Sequence, residues 1–308
     1  MTEAPAASYP IDDINRVKRR HQRAHYDHAT VHALLDSAAL CHVSYVIEGQ
    51  PYCTPTLYWR EGTTLYWHGS SASRMLRNLS EGQPACLTVT HLDSLVLARS
   101  AFHHSADYRS VMAFGHARLI EDQTDKSRAL TMMVDRLFPG RTATLRPTTE
   151  QELKATSVVT MDIEKASAKI RAAGVIDDEE DYLLPIYAER IPVRTVIEPP
   201  EPDGRLLPGV TRPATLSAFR TGRRLDEALT ETYAMSYPAG QLAFLASVIA
   251  RRASSDASQS PCGALDCFVA SLLAMTIGAG VARHALRRRP RSDPEAARKV
   301  WTALVRSQ

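Results

Sequence analysis

The sequence predicts a mainly β protein: a small antiparallel barrel decorated with helices, followed by a C-terminal helical extension. Two observations carry the barrel. Short β-branched and aromatic runs, Cys41–Ile47, Tyr52–Trp59 and Thr63–His68, are separated by the brief turns Glu48-Gly49-Gln50 and Glu61-Gly62, and loops that short join antiparallel neighbours. Further strand-like runs follow with helical segments between them, which suits a barrel more than a layered parallel sheet. A third observation carries the extension. Pro199–Pro213 holds five prolines and two glycines, reads as a linker, and gives way to a segment rich in Ala, Arg and Ser. At roughly 100–200 residues per domain, 308 residues divide into a barrel domain over 1–212 and a basic, helical extension over 213–308.

Each element has its local reason. Residues 14–27 are basic and rich in histidine and read as a solvated arm. His28–Leu40 places Val31, Leu34, Leu35 and Ala38 at helical spacing behind the cap Asp27. After the three hairpin strands, Ser71–Leu79 is a short helix with Met75, Leu76 and Leu79 on one side. Ala85–His91, Leu95–Ala98 and Ser110–Glu121 are strands. Lys126–Phe138 is an amphipathic helix stopped by Pro139-Gly140. Thr148-x-x-Gln151 is a capping box, and Ser157–Ile163 and Ala166–Arg171 are strands again. In the extension, helices are expected over 223–252, broken at Pro238-Ala239-Gly240, and over 264–289.

Composition narrows the function. Formal net charge is only +3, too little to argue for nucleic acid. It is unevenly placed: Glu201–Gln308 holds 15 Lys+Arg against 9 Asp+Glu. Five cysteines without a CxxC pair form neither a disulfide framework nor a zinc site; Cys41, Cys53 and Cys86 read as buried free thiols. No metal site is expected. Met1–Asp13 is polar and lacks the apolar stretch of a secretory signal. The uncharged apolar run Cys267–Ala282 has 16 residues against about 20 for a span. A buried helix is therefore expected there, and a cytoplasmic location.

Three constellations carry chemistry. His68-Gly69-Ser70-Ser71-Ala72-Ser73-Arg74 follows a strand and opens a helix. Small residues, hydroxyls and an arginine at a helix start suit a phosphate, although the segment is neither a P-loop nor GxGxxG. Ala98–Ser110 concentrates His103, His104, Arg99, Arg109, Tyr108 and three serines between strands, which suits a polar or anionic ligand. Pro51–Trp59 sets Tyr52, Thr54, Thr56 and Tyr58 on one strand face, with Pro55 marking an edge or a ligand-facing gap. Asp177–Asp181 reads as a solvated acidic loop. No nucleophile motif appears, which fits a protein whose cofactor brings the chemistry.

The stretches LTVTHLDSLVLARSAFHHSADYRSVMAFGHARLIED (Leu87–Asp122), LYWHGSSASRMLRNL (Leu65–Leu79) and DDEEDYLLPIYAERIPV (Asp177–Val193) resemble the flavin-nucleotide-binding branch of the pyridoxamine 5′-phosphate oxidase-like superfamily. The resemblance spans roughly Val17 to Val210. It implies an FMN-binding split β-barrel, a homodimer with FMN at the subunit interface, and oxidoreductase chemistry on a small-molecule substrate. By position it implies that Ser70, Ser73 and Arg74 hold the FMN phosphate and that Thr54, Pro55, Thr56 and Leu57 lie along the flavin. Arg109 and Ser110 would reach the phosphate or ribityl, with His68 and His103 near the ring. The Trp- and Arg-rich C-terminal segment of pyridoxamine-phosphate oxidases is replaced here by a proline-rich tail, which argues against vitamin B6 oxidation. A haem-binding split barrel, with His103 or His104 as axial ligand, and a non-catalytic flavin-binding regulator are the alternatives; a deazaflavin coenzyme is a further variant of the first reading.

Overall fold

The computed structural model describes residues 7–236. Within them lie β1 (Ala24–His25), α1 (His28–Asp36), β2 (Leu40–Ile47), β3 (Gln50–Glu61), β4 (Thr64–Ser70), α2 (Arg74–Asn78) and β5 (Glu81–Leu97). These are followed by β6 (Ser105–Leu119), α3 (Gln123–Leu137), α4 (Glu150–Ala155), β7 (Thr156–Asp162), β8 (Lys165–Arg171), β9 (Glu189–Pro192) and α5 (Leu225–Ser236). Every strand pairing is antiparallel. Six strands close on themselves in the cycle β2-β3-β4-β7-β6-β5. One end of β6 pairs with β7 and the other with β8, β1 extends the sheet beyond β8, and β9 extends it from β5. The fold is an antiparallel split barrel.

Alternation along the strands fills the interior. Cys41, Val43, Leu65, Trp67, Leu87, Val89, Val111, Ala113 and Met161 point inward and are buried. Helix α1 caps this core with Val31, Leu34 and Leu35, and Asp27 accepts from the Thr30 N–H as its N-cap. A second, smaller cluster lies outside the barrel wall, where α3 covers Trp59, Tyr66 and Val158. The β2–β3 turn places Glu48 at φ 49° and Gly49 at φ 80°, the conformation of a two-residue hairpin loop. Gly115 marks a close approach: a Cβ there would lie 2.1 Å from the Asp162 carbonyl oxygen.

Four expectations are corrected. Residues 14–27 are not a loose arm, because Asn15 is buried and donates to the Ala166 carbonyl, while the Val17 N–H donates to the Tyr26 hydroxyl. The strands expected at 85–91 and 95–98 are one continuous strand, β5, interrupted by an irregularity at Leu92/Ser94 that a pattern of alternation reads as a break. The capping box sits one residue later, on Thr149 and Glu152. Cys53 is exposed on the outer side of β3.

Helix α5, beyond the prolines, lies in the same compact unit as the barrel, and its Ala228, Leu229 and Tyr233 are buried. Arg136 donates to the Leu229 carbonyl and the Thr232 hydroxyl. The segment after the prolines is thus fastened to the barrel by polar contacts that hydrophobic patterning does not reveal. Part of the first expected extension helix appears as α5; the remainder, and the helix expected over 264–289, lie outside the described residues.

Candidate functional site

Strand β3 divides the expected ligand-facing residues between two faces. Tyr52, Thr54 and Thr56 lie on the side of Tyr45, Val43 and Cys41 and are only partly buried. Tyr52 stacks on Tyr45 with ring centroids 5.6 Å apart, and the Tyr45 and Thr54 hydroxyls are 3.1 Å apart. The Arg74 guanidinium sits 4.3 Å above the Tyr52 ring, a cation–π contact that joins the start of α2 to this rim. Arg74 has no carboxylate partner among the described residues, so it remains available to an anion.

The turn before α2 is self-contained. The Ser71 N–H donates to the Ala155 carbonyl (2.9 Å) and the Ser73 N–H to the Ser70 carbonyl (2.8 Å). The Ala72 N–H donates to Ser70 Oγ (3.2 Å), and Arg77 Nη2 donates to the Ala72 carbonyl (2.8 Å). These amides are spent within the chain. Open to a phosphate are the Ser73 hydroxyl, which makes no capping bond, Arg74, and the first N–H groups of α2.

Pro55 and Leu57 face the other way, outward, together with His42 and Leu40 of β2. His68 lies on this outer face as well, since its β4 neighbour Trp67 points into the core. Its ring centroid is 6.0 Å from that of Trp59, tilted by 54°. His68 Nδ1 is buried without a hydrogen-bond partner, and burial pushes the imidazole pKa below its ordinary value, which keeps it neutral.

The β6 residues are engaged elsewhere. Arg109 is buried and grips Asp93 with Nε and Nη2, both at 2.8 Å, while Nη2 also reaches Asp226 at 2.9 Å. Its guanidinium thereby locks α5 to the β5–β6 ribbon and is not brought to Arg74. Ser110 Oγ donates weakly to the Lys169 carbonyl at 3.4 Å. His103 Nε2 is 3.2 Å from Asp178, and the ligand atoms of His103, Asp178 and Asp181 lie within 4.8 Å of one another. The acidic run is thus folded onto the His103 loop, and the spacing of the residues gave no signal of it. His104 Nδ1 bonds to the Ser100 carbonyl at 2.8 Å.

Nearby, Asp107 is fully buried and accepts from Arg171, from Arg190 Nε (2.8 Å), from Ser94 Oγ (2.7 Å) and from the Ala173 N–H (3.1 Å). Sequence reasoning passed over Asp107. The available signal was a charged residue recurring at alternate positions, Asp107 and Arg109, on the inward side of an apolar strand.

A family model described as pyridoxamine 5′-phosphate oxidase matches residues 27–170. The flavocytochrome Anf3 from Azotobacter vinelandii is 47% identical, with a TM-score of 0.65 over 68% of this chain and 98% of its own. The chain belongs to the pyridoxamine 5′-phosphate oxidase-like family. A second family structure, the FAD and heme binding protein from Mycobacterium smegmatis, is 33% identical, with a TM-score of 0.62 over 66% of this chain and 98% of its own. No curated protein matches the chain. Both solved relatives are covered almost end to end, while about a third of this chain lies outside the match. Among the described residues no helix is long and apolar enough to cross a membrane.

Proposed function

We propose that this chain is a flavin- and haem-carrying redox protein that works as a homodimer in the cytoplasm on a small-molecule substrate. The observation that carries the reading is 47% identity to a flavocytochrome across 98% of that relative's length, supported by 33% identity to an FAD and heme binding protein. When bound, the flavin accepts and passes on electrons and the haem iron exchanges them singly.

The residues fit a flavin nucleotide. Arg74, without a carboxylate partner among the described residues, is held over an aromatic ring, and with the Ser73 hydroxyl it would take the phosphate. Thr54 and Thr56 offer hydroxyls along the adjoining strand for the ribityl chain. FMN is the nucleotide that the resemblance implies; FAD shares its isoalloxazine, ribityl and first phosphate, so the same residues serve both. A partner subunit has a surface to meet: Leu40, Val46, Leu57 and Met112 are exposed on one face of β2, β3 and β6, the kind of apolar patch that marks association.

The test is an absorbance spectrum of the purified full-length chain, with the extracted nucleotide separated by chromatography. Two flavin bands together with an intense Soret band support the reading; a colourless protein that takes up neither flavin nor hemin refutes it. Arg74→Ala should weaken flavin retention by about 10–150-fold, the worth of a charge-assisted hydrogen bond, and more than Arg77→Ala, whose guanidinium is occupied with the Ala72 carbonyl.

A further inference from the structure

Two loops meet beside the β5–β6 ribbon. The first connects β5 to β6 and contains a tight turn, Ala101–His103, closed by the His103 N–H donating to the Ser100 carbonyl at 3.2 Å. The second follows β8 and carries the acidic run Asp177–Asp181. Asp177 is engaged: it accepts from the Arg99 N–H at 3.1 Å and from Arg99 Nη1 at 3.0 Å. The Asp177 N–H donates to the Tyr182 hydroxyl, and the Arg99 guanidinium lies 4.9 Å from the centre of the Tyr182 ring. Arg99 thus fastens both ends of the acidic run to the loop that carries His103.

This clamp brings Asp178 and Asp181 to the imidazole. The Asp181 N–H donates to the Asp178 carbonyl at 3.0 Å, which folds the run into a turn, and the ligand atoms of His103, Asp178 and Asp181 lie within 4.8 Å of one another. His103 Nε2 is shielded from solvent and makes no hydrogen bond, although Asp178 Oδ2 is 3.2 Å away. A donor aimed at an acceptor from that distance would make one. Two ligand atoms about 2.0–2.1 Å from a tetrahedral ion stand about 3.3–3.4 Å apart, so this pair already has the spacing of a coordination edge. Asp181 has to close by at most about 1.4 Å to join it.

Charge points the same way. Arg99 neutralises Asp177, and among the described residues no lysine or arginine pairs with Asp178 or Asp181. Two carboxylates held this close repel unless a cation lies between them. The donor set is one imidazole nitrogen and two carboxylate oxygens. Oxygens alone would suit Mg²⁺ or Ca²⁺, whereas imidazole beside carboxylate suits zinc-type ions. The His103 side chain is 19% exposed and that of Asp178 is 70% exposed, so the imidazole is enclosed while water has access to complete the coordination. We infer that His103, Asp178 and Asp181 bind a zinc-type divalent cation, which clips the β5–β6 connection to the segment leading into β9. This assigns His103 to a cation and not to the flavin ring or the haem iron. The sequence predicts no metal site because the ligands come from separate loops, and no spacing motif records that meeting.

The test uses the full-length chain, stripped with EDTA, its exposed thiols alkylated, and dialysed to equilibrium against Zn²⁺. Bound metal, flavin and haem are measured on the same samples, and thermal melts are run with and without Zn²⁺. The unsubstituted chain should bind Zn²⁺ at this site, keep it in excess Mg²⁺, and melt higher as free Zn²⁺ rises. Asp178→Asn and Asp181→Asn should each weaken that binding by at least about tenfold, the loss expected even for a group that only supports a ligand, with flavin and haem content unchanged. Without Zn²⁺ both variants should melt no lower than the unsubstituted chain, since each removes one of two crowded carboxylates. Glu179→Gln and Glu180→Gln should bind Zn²⁺ as the unsubstituted chain does. Absence of Zn²⁺ binding overturns the inference, as does unchanged binding in both aspartate variants. An equal loss in Glu179→Gln also overturns it, by showing only a general attraction to an acidic loop. Loss of flavin or haem together with Zn²⁺ in the aspartate variants overturns it by giving the loop to a cofactor instead.

Discussion

Asp107→Asn isolates a single buried charge. The carboxylate is fully buried and accepts from Arg171, Arg190, Ser94 and the backbone of residue 173. Asparagine keeps the shape and one carbonyl oxygen, so the Ser94 and backbone contacts can persist. The charge cannot. Arg171 is 5% exposed and Arg190 is 38% exposed at their side chains. Arg190 can turn to water and loses at most about 1 kcal/mol. Arg171 cannot, and a buried cation stripped of its partner costs about 3–5 kcal/mol, a large share of the total stability of a domain, about 5–15 kcal/mol. Urea denaturation at neutral pH should show that loss at an unchanged slope. Arg190→Ala should lose little. The double replacement Asp107→Leu with Arg171→Met should recover much of the deficit, because an apolar pair leaves no charge uncompensated. A loss below about 1 kcal/mol for Asp107→Asn would show that water reaches Arg171 and would refute the argument.

Acid should weaken the fold in two stages. His32 is pushed down from 6.5 to about 3, by burial first and then by Arg60 and His28, so the unfolded chain takes up its proton first and stability falls as pH drops from 6.5 towards 3. Burial pushes Asp107 up, but its bonds to Arg190 and Ser94, the Ala173 N–H and the Arg171 charge outweigh that and hold it at about 2; its contribution is lost between 3.8 and about 2. His32→Gln should flatten the upper stage in a pH series of thermal melts and leave the lower one in place. Gly115→Ala, with its Cβ 2.1 Å from a backbone oxygen, must part β6 from the β7 end and should cost about 1–3 kcal/mol or more by the same urea assay. Ending the chain at Gly222 removes α5 and its Asp226, Leu229 and Tyr233 contacts; the expected product unfolds earlier or is insoluble, whereas a chain of 1–222 melting like the full length would show α5 to be dispensable.

The barrel was readable because its signals are local. Hairpin turns at Glu48-Gly49 and Glu61-Gly62, the cap at Asp27 and the amphipathic run of α3 each declare themselves within a few residues. The rim of the candidate site was half readable. Alternation placed Tyr52, Thr54 and Thr56 together, but only the three-dimensional contact shows that Arg74 closes over Tyr52. Arg109, which the resemblance implies reaches the phosphate or ribityl, bonds to Asp93 and Asp226, 16 and 117 residues away along the chain. Pairings at that range leave no periodicity to read. The same holds for the inclusion of α5, which depends on Arg136 and Tyr233 rather than on a continuous apolar stripe.

The cycle of six strands also sets an order of assembly. Strands β2, β3 and β4 follow one another through tight turns and can pair as soon as they are made. The seam between β4 and β7, where Thr64 meets Asp162, joins residues 98 apart. Bringing such distant segments together costs chain entropy before any contact repays it. Until that seam forms, β4 and β7 are open strand edges with unpaired amides and carbonyls, able to pair with a neighbouring molecule. Refolding yield should therefore depend on protein concentration more steeply than refolding rate does, with the hairpins β2–β4 protected from hydrogen exchange well before the seam.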